Sequence, residues 1–407
     1  MHPSSFPGKH LKPKFTTSNR ATSANIGTVP IDLVEFGNKI HRRRTELLLS
    51  QAEVCQNTGM TVERIEEFEN GRLSPTGDEV LILADFFRCD YRFLISNERL
   101  AASEQTESLY RKYGNEFTKQ DRRAILEFLY LCECEQMLKE ELGHRTVEFS
   151  FIVTGTHFKG HAEQAANALR AHFGYPSNAV PSDVYDDFRK IGFHLFRRRL
   201  DNSSISGITI RHPYAGTCIL VNYDEDIYRQ RFTAAHEGAH GIIDRGEDIV
   251  VSFVGKHKRA DLVEIRANTF ASRYLLPPSV ITSLPITRWT QQSIVHWASH
   301  FKVSTKALAI ALKEAGIIDD HAVNHLAQVS VPAVLKIDPE LDKLSEHSKT
   351  RKRELLEKGL STSYVNLCFD AYAHGIISGG RIAEMMLVDN FELNEIAELF
   401  NVKMQAQ

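Results

Sequence analysis

The sequence predicts an α+β protein that is mainly helical and is divided into several domains. At 407 residues the chain is too long for one ordinary domain. Apolar residues recur at helical spacing in most segments, whereas runs typical of short strands occur between residues 192 and 221. A hydrophobic content of 42% with 25% charged residues is that of a globular protein with enough apolar material for several cores.

The bulk composition excludes some classes of protein and leaves the partners open. No apolar run approaches the roughly 20 residues that span a bilayer, and no signal-peptide core is visible, so we expect a cytoplasmic protein without a membrane partner. The six cysteines are scattered and are expected to be reduced. Residues 1–30 are rich in Ser, Thr, Pro and Lys, which predicts a flexible tail. The formal charge of −3 points to no partner.

Residues 31–100 are predicted to form a domain of short helices. Ser50 and Glu53 have the spacing of a capping box and begin one helix. Thr61 begins the next helix, which ends at Asn70-Gly71. Three further domains are predicted from the changes in pattern: a connecting helix in 101–146, a mixed domain in 147–330 with strands near 192–196, 205–210 and 217–221, and a helical domain in 331–407.

The strongest chemical signal is the motif RFTAAHEGAH at residues 231–240. His236 and His240 are four residues apart, which places both imidazoles on one face of a helix. Glu237 lies beside the first histidine and can reach a water on the metal without ligating the metal itself. Zinc lowers the pKa of bound water to about 7, so a carboxylate base can remove its proton near neutral pH. We therefore predict a zinc site with Glu237 as the general base.

A catalytic zinc needs three protein ligands and one open position, and Glu264 is the best candidate for the third. It opens a predicted helix on which the small residues Ala267 and Ala271 permit close approach to the histidine helix. The competing interpretation is a chance motif with two surface histidines and a solvated glutamate. Another divalent ion in place of zinc also stays open.

Two further residues are predicted to support the ligands. Asp244 lies four residues after His240 on the same face and is a candidate partner for its second ring nitrogen. A surface aspartate at the helix end is the alternative. Asn268 lies on the same face as Glu264, one turn later, and is predicted to lie beside the metal.

With these residues in view, the mixed domain resembles the ImmA/IrrE family of metallopeptidases. The resemblance is carried by Ile205-Ser206-Gly207, Ile219-Leu220-Val221-Asn222, RQRFTAAHEGAHGIID and EIRANTFASRYLLPP. Similar proteins carry an RxRFTxAHExGH helix followed by an ExxANxFAxxLLxP helix, and here Ala239 replaces the usual glycine of the first motif. The resemblance implies a zincin-like fold with a small sheet, His236, His240 and Glu264 as ligands and Glu237 as base.

Residues 31–100 resemble the Xre/Cro-type helix-turn-helix, on the stretch SQAEVCQNTGMTVERIEEFENGRLSP. The resemblance implies a five-helix helix-turn-helix domain fused to the metallopeptidase domain. The C-terminal stretch FDAYAHGIISGGRIAEMMLVDNFELNEIAELF resembles the helical segment that often closes such fusions.

DNA binding by the first domain is a separate prediction. Its second central helix would present Thr61, Glu63 and Arg64 to the major groove, and phosphate contacts would fall to Arg43, Arg44, Arg64 and Arg72. Nine basic residues stand against thirteen acidic residues in 31–100, so this surface is acidic for a DNA-binding domain. The alternative is a helix-turn-helix that serves dimerisation or protein docking.

The predicted function is that of a regulatory zinc metalloprotease. By resemblance, the substrate is a specific protein, often a transcriptional repressor, cut in stress, phage or mobile-element biology. DNA and a second copy of the chain are further expected partners. Two alternatives remain: a DNA-binding regulator whose peptidase-like domain senses a ligand and cleaves little, and an antitoxin-like protein that acts by binding other proteins.

Overall fold

The computed structural model describes most of the chain after the predicted flexible tail, and residues 1–30 lie outside the described residues. The described ranges are 31–89, 91–96, 102–147, 149–153, 158–246, 248–253, 262–286, 288–336, 338–342 and 344–404. None of the helices within these ranges is long and apolar enough to cross a membrane.

The N-terminal domain consists of five helices around one apolar core. The helices are α1 (Leu33–Glu46), α2 (Gln51–Thr58), α3 (Val62–Glu69), α4 (Gly77–Phe86) and α5 (Tyr91–Ile95). Ser50 and Glu53 form the predicted capping box at the start of α2. Gly59 ends α2 with φ = +72°, and the hydroxyl of Thr61 accepts a hydrogen bond from the Arg64 amide at the start of α3. These caps fix the turn between the two central helices.

The described part of the segment 101–146 contains two α-helices, where one connecting helix was expected. These are α6 (Ala102–Tyr113) and the longer α7 (Lys119–Glu141), which Thr118 caps. Helix α7 is buried on several sides. Its Leu126 belongs to the N-terminal core, and its Phe128 ring lies 6.1 Å from that of Phe196 in the sheet. The first domain and the sheet therefore share this helix as a packing partner.

A four-stranded sheet follows, composed of β1 (His194–Arg198), β2 (Ile205–His212), β3 (Gly216–Asn222) and β4 (Ile249–Phe253). The spatial order is β1-β3-β2-β4, with β1 parallel to β3 and β2 antiparallel to both neighbours. The sequence prediction included the first three strands and missed β4. That strand is short and lies between two helical motifs, which drew the interpretation toward helix.

Helices cover both faces of the sheet because its side chains alternate. Leu195, Ile219 and Val221 point into a core with the helices α8 (Phe158–His172), α9 (Val184–Lys190), α10 (Ile227–Ile243) and α11 (Leu262–Leu275). Phe196 and Leu220 point into the opposite core. That core contains α7 and the C-terminal helices α16 (Glu346–Glu357), α17 (Thr362–Ala373), α18 (Gly379–Met385) and α19 (Asn390–Leu399).

A fourth core lies beside the first half of α10. It is formed by α12 (Pro278–Thr282), α13 (Gln291–Phe301), α14 (Thr305–Glu314) and α15 (Asp320–Leu326), and Tyr228 of α10 is buried in it. Helix α10 thus lies between the sheet and this small bundle.

Candidate metal centre

The two histidines of the motif lie in the last turns of α10, which packs against the sheet. His236, Glu237 and His240 are all almost fully buried. Gly238 permits this close packing, since a Cβ atom built there would lie 2.2 Å from the ring of Phe188 in α9. A larger residue at position 238 would push α10 away from α9 and displace both histidines.

Helix α11 brings Glu264 to the histidines. Ala267 and Ala271 are fully buried in its contact with neighbouring helices, so the small side chains do allow close approach. The Nε2 atoms of His236 and His240 lie 3.1 Å apart. The carboxylate oxygens of Glu264 lie 3.3 Å from the first Nε2 and 3.5 Å from the second. The structure therefore brings the three predicted ligands together from two helices.

These distances fit a tetrahedral zinc site. Ligand atoms about 2.0–2.1 Å from zinc in tetrahedral directions lie about 3.3–3.4 Å from each other. The three separations, 3.1, 3.3 and 3.5 Å, lie around that value. Two imidazole nitrogens and one carboxylate are also a common donor set for catalytic zinc.

The other ring nitrogens of the histidines are held by polar neighbours. His236 Nδ1 lies 3.2 Å from the Asn268 side-chain oxygen, and His240 Nδ1 lies 2.7 Å from Asp244. Asp244 is buried at the end of α10 and also accepts a hydrogen bond from Arg266. Because the Nδ1 atoms donate to these oxygens, both Nε2 atoms are left with a lone pair for a metal.

The Glu264 carboxylate is ionised in this environment. Burial raises its pKa, but where the imidazoles of His236 and His240 carry a proton in place of a metal, their hydrogen bonds and charges outweigh burial and hold the pKa well below its usual range.

Glu237 is oriented by strand β2. The Thr209 hydroxyl donates a hydrogen bond of 2.6 Å to Glu237 Oε2, while Oε1 is buried and has no hydrogen-bond partner among the described residues. Gly207 leaves room for this carboxylate, since a Cβ atom there would lie 2.8 Å from Oε1. A buried carboxylate oxygen without a donor needs a proton-bearing partner, and a water bound beside the ligands would supply one.

An open cleft adjoins the candidate ligand His236. It has a volume of about 780 Å³, and His236, Phe232 and Asn268 lie on its wall. A cleft of this size leaves space for several residues of a polypeptide next to the ligand atoms.

Two family models match the chain. Residues 188–313 match the peptidase M78 model, described as the IrrE N-terminal-like domain, and residues 40–94 match a helix-turn-helix model. The chain combines a helix-turn-helix domain with an IrrE N-terminal-like domain. This agrees with the fusion that the sequence motifs indicated. No curated protein matches the chain significantly.

In the helix-turn-helix domain, the predicted phosphate-binding arginines face carboxylates of the same domain. Arg44 makes two hydrogen bonds to Glu69, of 2.6 and 2.9 Å. Arg64 makes a two-point contact with Glu79, with one distance of 2.8 Å. These pairs fill the bidentate faces of both guanidinium groups.

The other predicted DNA contacts are more varied. Arg43 lies over the Phe93 ring at 4.9 Å and 3.6 Å from Glu46. Arg72 is 66% exposed and lies 3.3 Å from Glu67. Thr61 uses its hydroxyl as the cap of α3, and Glu63 is exposed in the first turn of that helix. Arg72 is thus the most accessible of the four predicted arginines.

Sequence reasoning missed the residues that position the base. Thr209 and Gly207 lie on β2, about 30 residues before Glu237, and only the fold brings them together. The Ser206-Gly207 pair was part of the stretch that carried the resemblance, which was the one available signal. Arg266 was also missed, although it lies two residues after Glu264 and contacts Asp244.

Proposed function

We propose that the chain is a zinc-dependent endopeptidase that cleaves a specific regulatory protein, with a transcriptional repressor as the expected substrate. The observation that supports this most is the convergence of three ligand atoms with a buried carboxylate at one end of an open cleft. The match to a peptidase family model over residues 188–313 supports the same class of reaction.

His236, His240 and Glu264 would hold the metal. When bound, Zn²⁺ polarises the substrate carbonyl and lowers the pKa of water. Glu237 accepts the proton of the attacking water at Oε1 and donates it to the leaving amine. Thr209 holds Oε2 and so keeps Oε1 directed at the reacting atoms. Asn268 and Asp244 keep both imidazoles in the tautomer that ligates through Nε2.

The decisive variant is Glu237→Gln, which keeps the shape of the side chain and removes the base. Cells that express the wild-type chain are expected to contain new N-termini of one or a few regulatory proteins, detected by N-terminal labelling and mass spectrometry. The variant is expected to bind zinc as the wild type does and to lack these N-termini. Identical N-termini in both samples would contradict the proposal.

The helix-turn-helix match favours a second activity, in which the N-terminal domain binds DNA. Phosphate contacts weaken steeply with salt, so a gel-shift assay with promoter fragments is to be run over a salt series. Arg72→Ala is expected to reduce the salt dependence more than Arg64→Ala, because Arg64 is held by Glu79. Binding that is independent of salt, or unaffected by both changes, would leave protein docking or dimerisation as the role of this domain.

A further inference from the structure

The cleft beside the metal ligands is long enough to hold a segment of extended polypeptide. Along α11 and the residue that follows it, the wall of the cleft runs from Ile265 through Asn268 and Ser272 to Leu276. These residues are three or four positions apart and form one face of the helix. The eleven helical steps from Ile265 to Leu276 span about 16 Å at about 1.5 Å each, and an extended chain advances about 3.3 Å per residue, so about five substrate residues fit.

Both ends of the cleft have apolar walls. Phe232 and Ile265 lie near the ligands, and Leu276, Val303 and Ile310 lie farther along. Leu276 and Val303 share the core of the small bundle, which places the start of α14 near the far end of α11. Ile310 is 39% exposed although it is a large apolar residue. This wall favours a substrate with an apolar side chain.

The charges in the cleft are not balanced. Its wall contains the cations Lys159, Arg229, Lys306 and Lys336 and the anions Asp226 and Glu314. Lys336 is paired with Asp226, Arg229 with Glu225 at 2.6 Å, and Glu314 with Arg273 at 2.9 Å. Within the described residues, Lys159 and Lys306 have no acidic partner. The unpaired charge of the cleft is therefore positive.

Lys306 lies where a helix terminus adds to this positive charge. It is in the first turn of α14, and Ser304 caps the helix by accepting a hydrogen bond of 3.1 Å from the Ala307 amide. No acidic residue occupies that turn. The N-terminal end of a helix dipole favours anions, and a lysine there is unfavourable for the helix itself. Ser304, Lys306 and Ala307 all line the cleft, so a bound carboxylate would meet both sources of positive charge.

We infer that Lys306 selects protein substrates with an acidic side chain three to five residues from the scissile bond and an apolar side chain between them. This inference rests on the proposed peptidase function for the identity of the occupant. Lys306 is a specificity residue in this reading, because it contacts the substrate at a distance from the reacting atoms.

The test measures binding separately from cleavage. Zinc-loaded, full-length Glu237→Gln protein is titrated into fluorescent decapeptide pools with Leu at position 5 and either Glu or Gln at position 9. A second pair of pools places Glu or Gln at position 1, so that both chain directions are covered. Anisotropy is expected to show about fivefold tighter binding of the Glu pool in one pair, and less at higher salt.

Adding Lys306→Glu is expected to abolish or reverse this preference, and Lys306→Arg is expected to keep it. Lys403→Glu is the matched control, because Lys403 is exposed and does not line the cleft. Equal binding of the Glu and Gln pools, or a preference that survives Lys306→Glu, would overturn the inference. If the preference holds but the wild type leaves the preferred pool uncut, the peptidase function fails and the binding specificity stands.

Discussion

Helices α10 and α3 each carry the functional motif of their domain, and in each the side chains of the motif are held by polar side chains around them. At α10, Asp244 and Asn268 engage the Nδ1 atoms of the histidines and leave the Nε2 atoms directed at one point. At α3, Glu79 engages the guanidinium group of Arg64. A polar contact with a neighbouring side chain thus leaves the histidines at α10 ready to bind a metal. A similar contact at α3 occupies the guanidinium group that would bind a phosphate.

The difference lies in how many functional atoms each side chain has. An imidazole has two nitrogens, so one can be oriented by the protein while the other ligates. A bidentate arginine–carboxylate pair uses the face that would otherwise contact a phosphate. A sequence motif is therefore a better guide to ligand binding when its functional residues are histidines than when they are arginines.

The largest expected effect is on metal binding. Glu264→Gln removes a charged ligand and is expected to lower the affinity for zinc by at least a hundredfold, measured by competition with a chelator. Glu163→Gln is the control, because that carboxylate is on α8, pairs with Arg273 and does not face the histidines. If the Glu264→Gln variant retained stoichiometric zinc, the prediction would be contradicted. The contrast between the metal site at α10 and the paired arginine at α3 would then disappear.

Buried and exposed carboxylates are expected to respond differently to acid. Burial raises the pKa of Glu340, but Arg197, Arg189 and Lys352 lower it to about 2. Its ionised form stabilises the fold above pH 4.5, and this contribution, about 3 kcal/mol at most, is lost as the pH falls toward 2. Glu340→Gln is expected to flatten the dependence of unfolding free energy on pH in this window.

Glu53 provides the comparison in the helix-turn-helix domain. Its hydrogen bonds with Lys119 and Ser50 also lower its pKa to about 2, but it is exposed to solvent. Glu53→Gln is therefore expected to change the pH profile little, since solvent screens its ion pair. Urea unfolding at several pH values measures the dependence of the unfolding free energy on pH. If this dependence became equally flat in Glu340→Gln and Glu53→Gln, burial would not explain the difference between the two carboxylates.

The arginines of the helix-turn-helix domain should differ in their effect on stability. Arg44→Ala leaves the largely buried Glu69 without its main partner and is expected to cost about 2–3 kcal/mol. Arg72→Ala is expected to cost at most about 0.5 kcal/mol, because that pair is exposed. Urea unfolding of both variants measures this. Equal losses would show that the buried Arg44–Glu69 pair contributes no more to stability than the exposed Arg72–Glu67 pair.

A variant on strand β2 isolates the orientation of the base. Thr209→Val removes the hydrogen bond to Glu237 Oε2 and is expected to lower kcat about tenfold, or about 1.4 kcal/mol, with unchanged zinc content. Thr217→Val on the neighbouring strand β3 is the control. An unchanged kcat in the Thr209 variant would mean that Glu237 needs no support from β2.

The sequence was informative where function depends on residues close together in the chain. The caps at Ser50 and Thr61 and the four-residue spacing of the histidines are local features, and local periodicity reveals them. Thr209 meets Glu237 through strand pairing and helix packing, which spacing does not encode. The pairing of Arg64 with Glu79 likewise depends on how α4 packs against α3.

Helix α7 determines how the chain can be divided. Its Arg122 donates a hydrogen bond of 2.9 Å to the Glu46 carbonyl of the helix-turn-helix domain. Its Phe128 packs on Phe196 in the sheet of the IrrE N-terminal-like domain. A fragment that begins after residue 146 would lose the part of the cover on one face of the sheet that α7 provides, and only the C-terminal helices would remain there. Engineering that joins the IrrE N-terminal-like domain to another N-terminal domain would have to carry α7 along, together with a new surface to receive its Leu126.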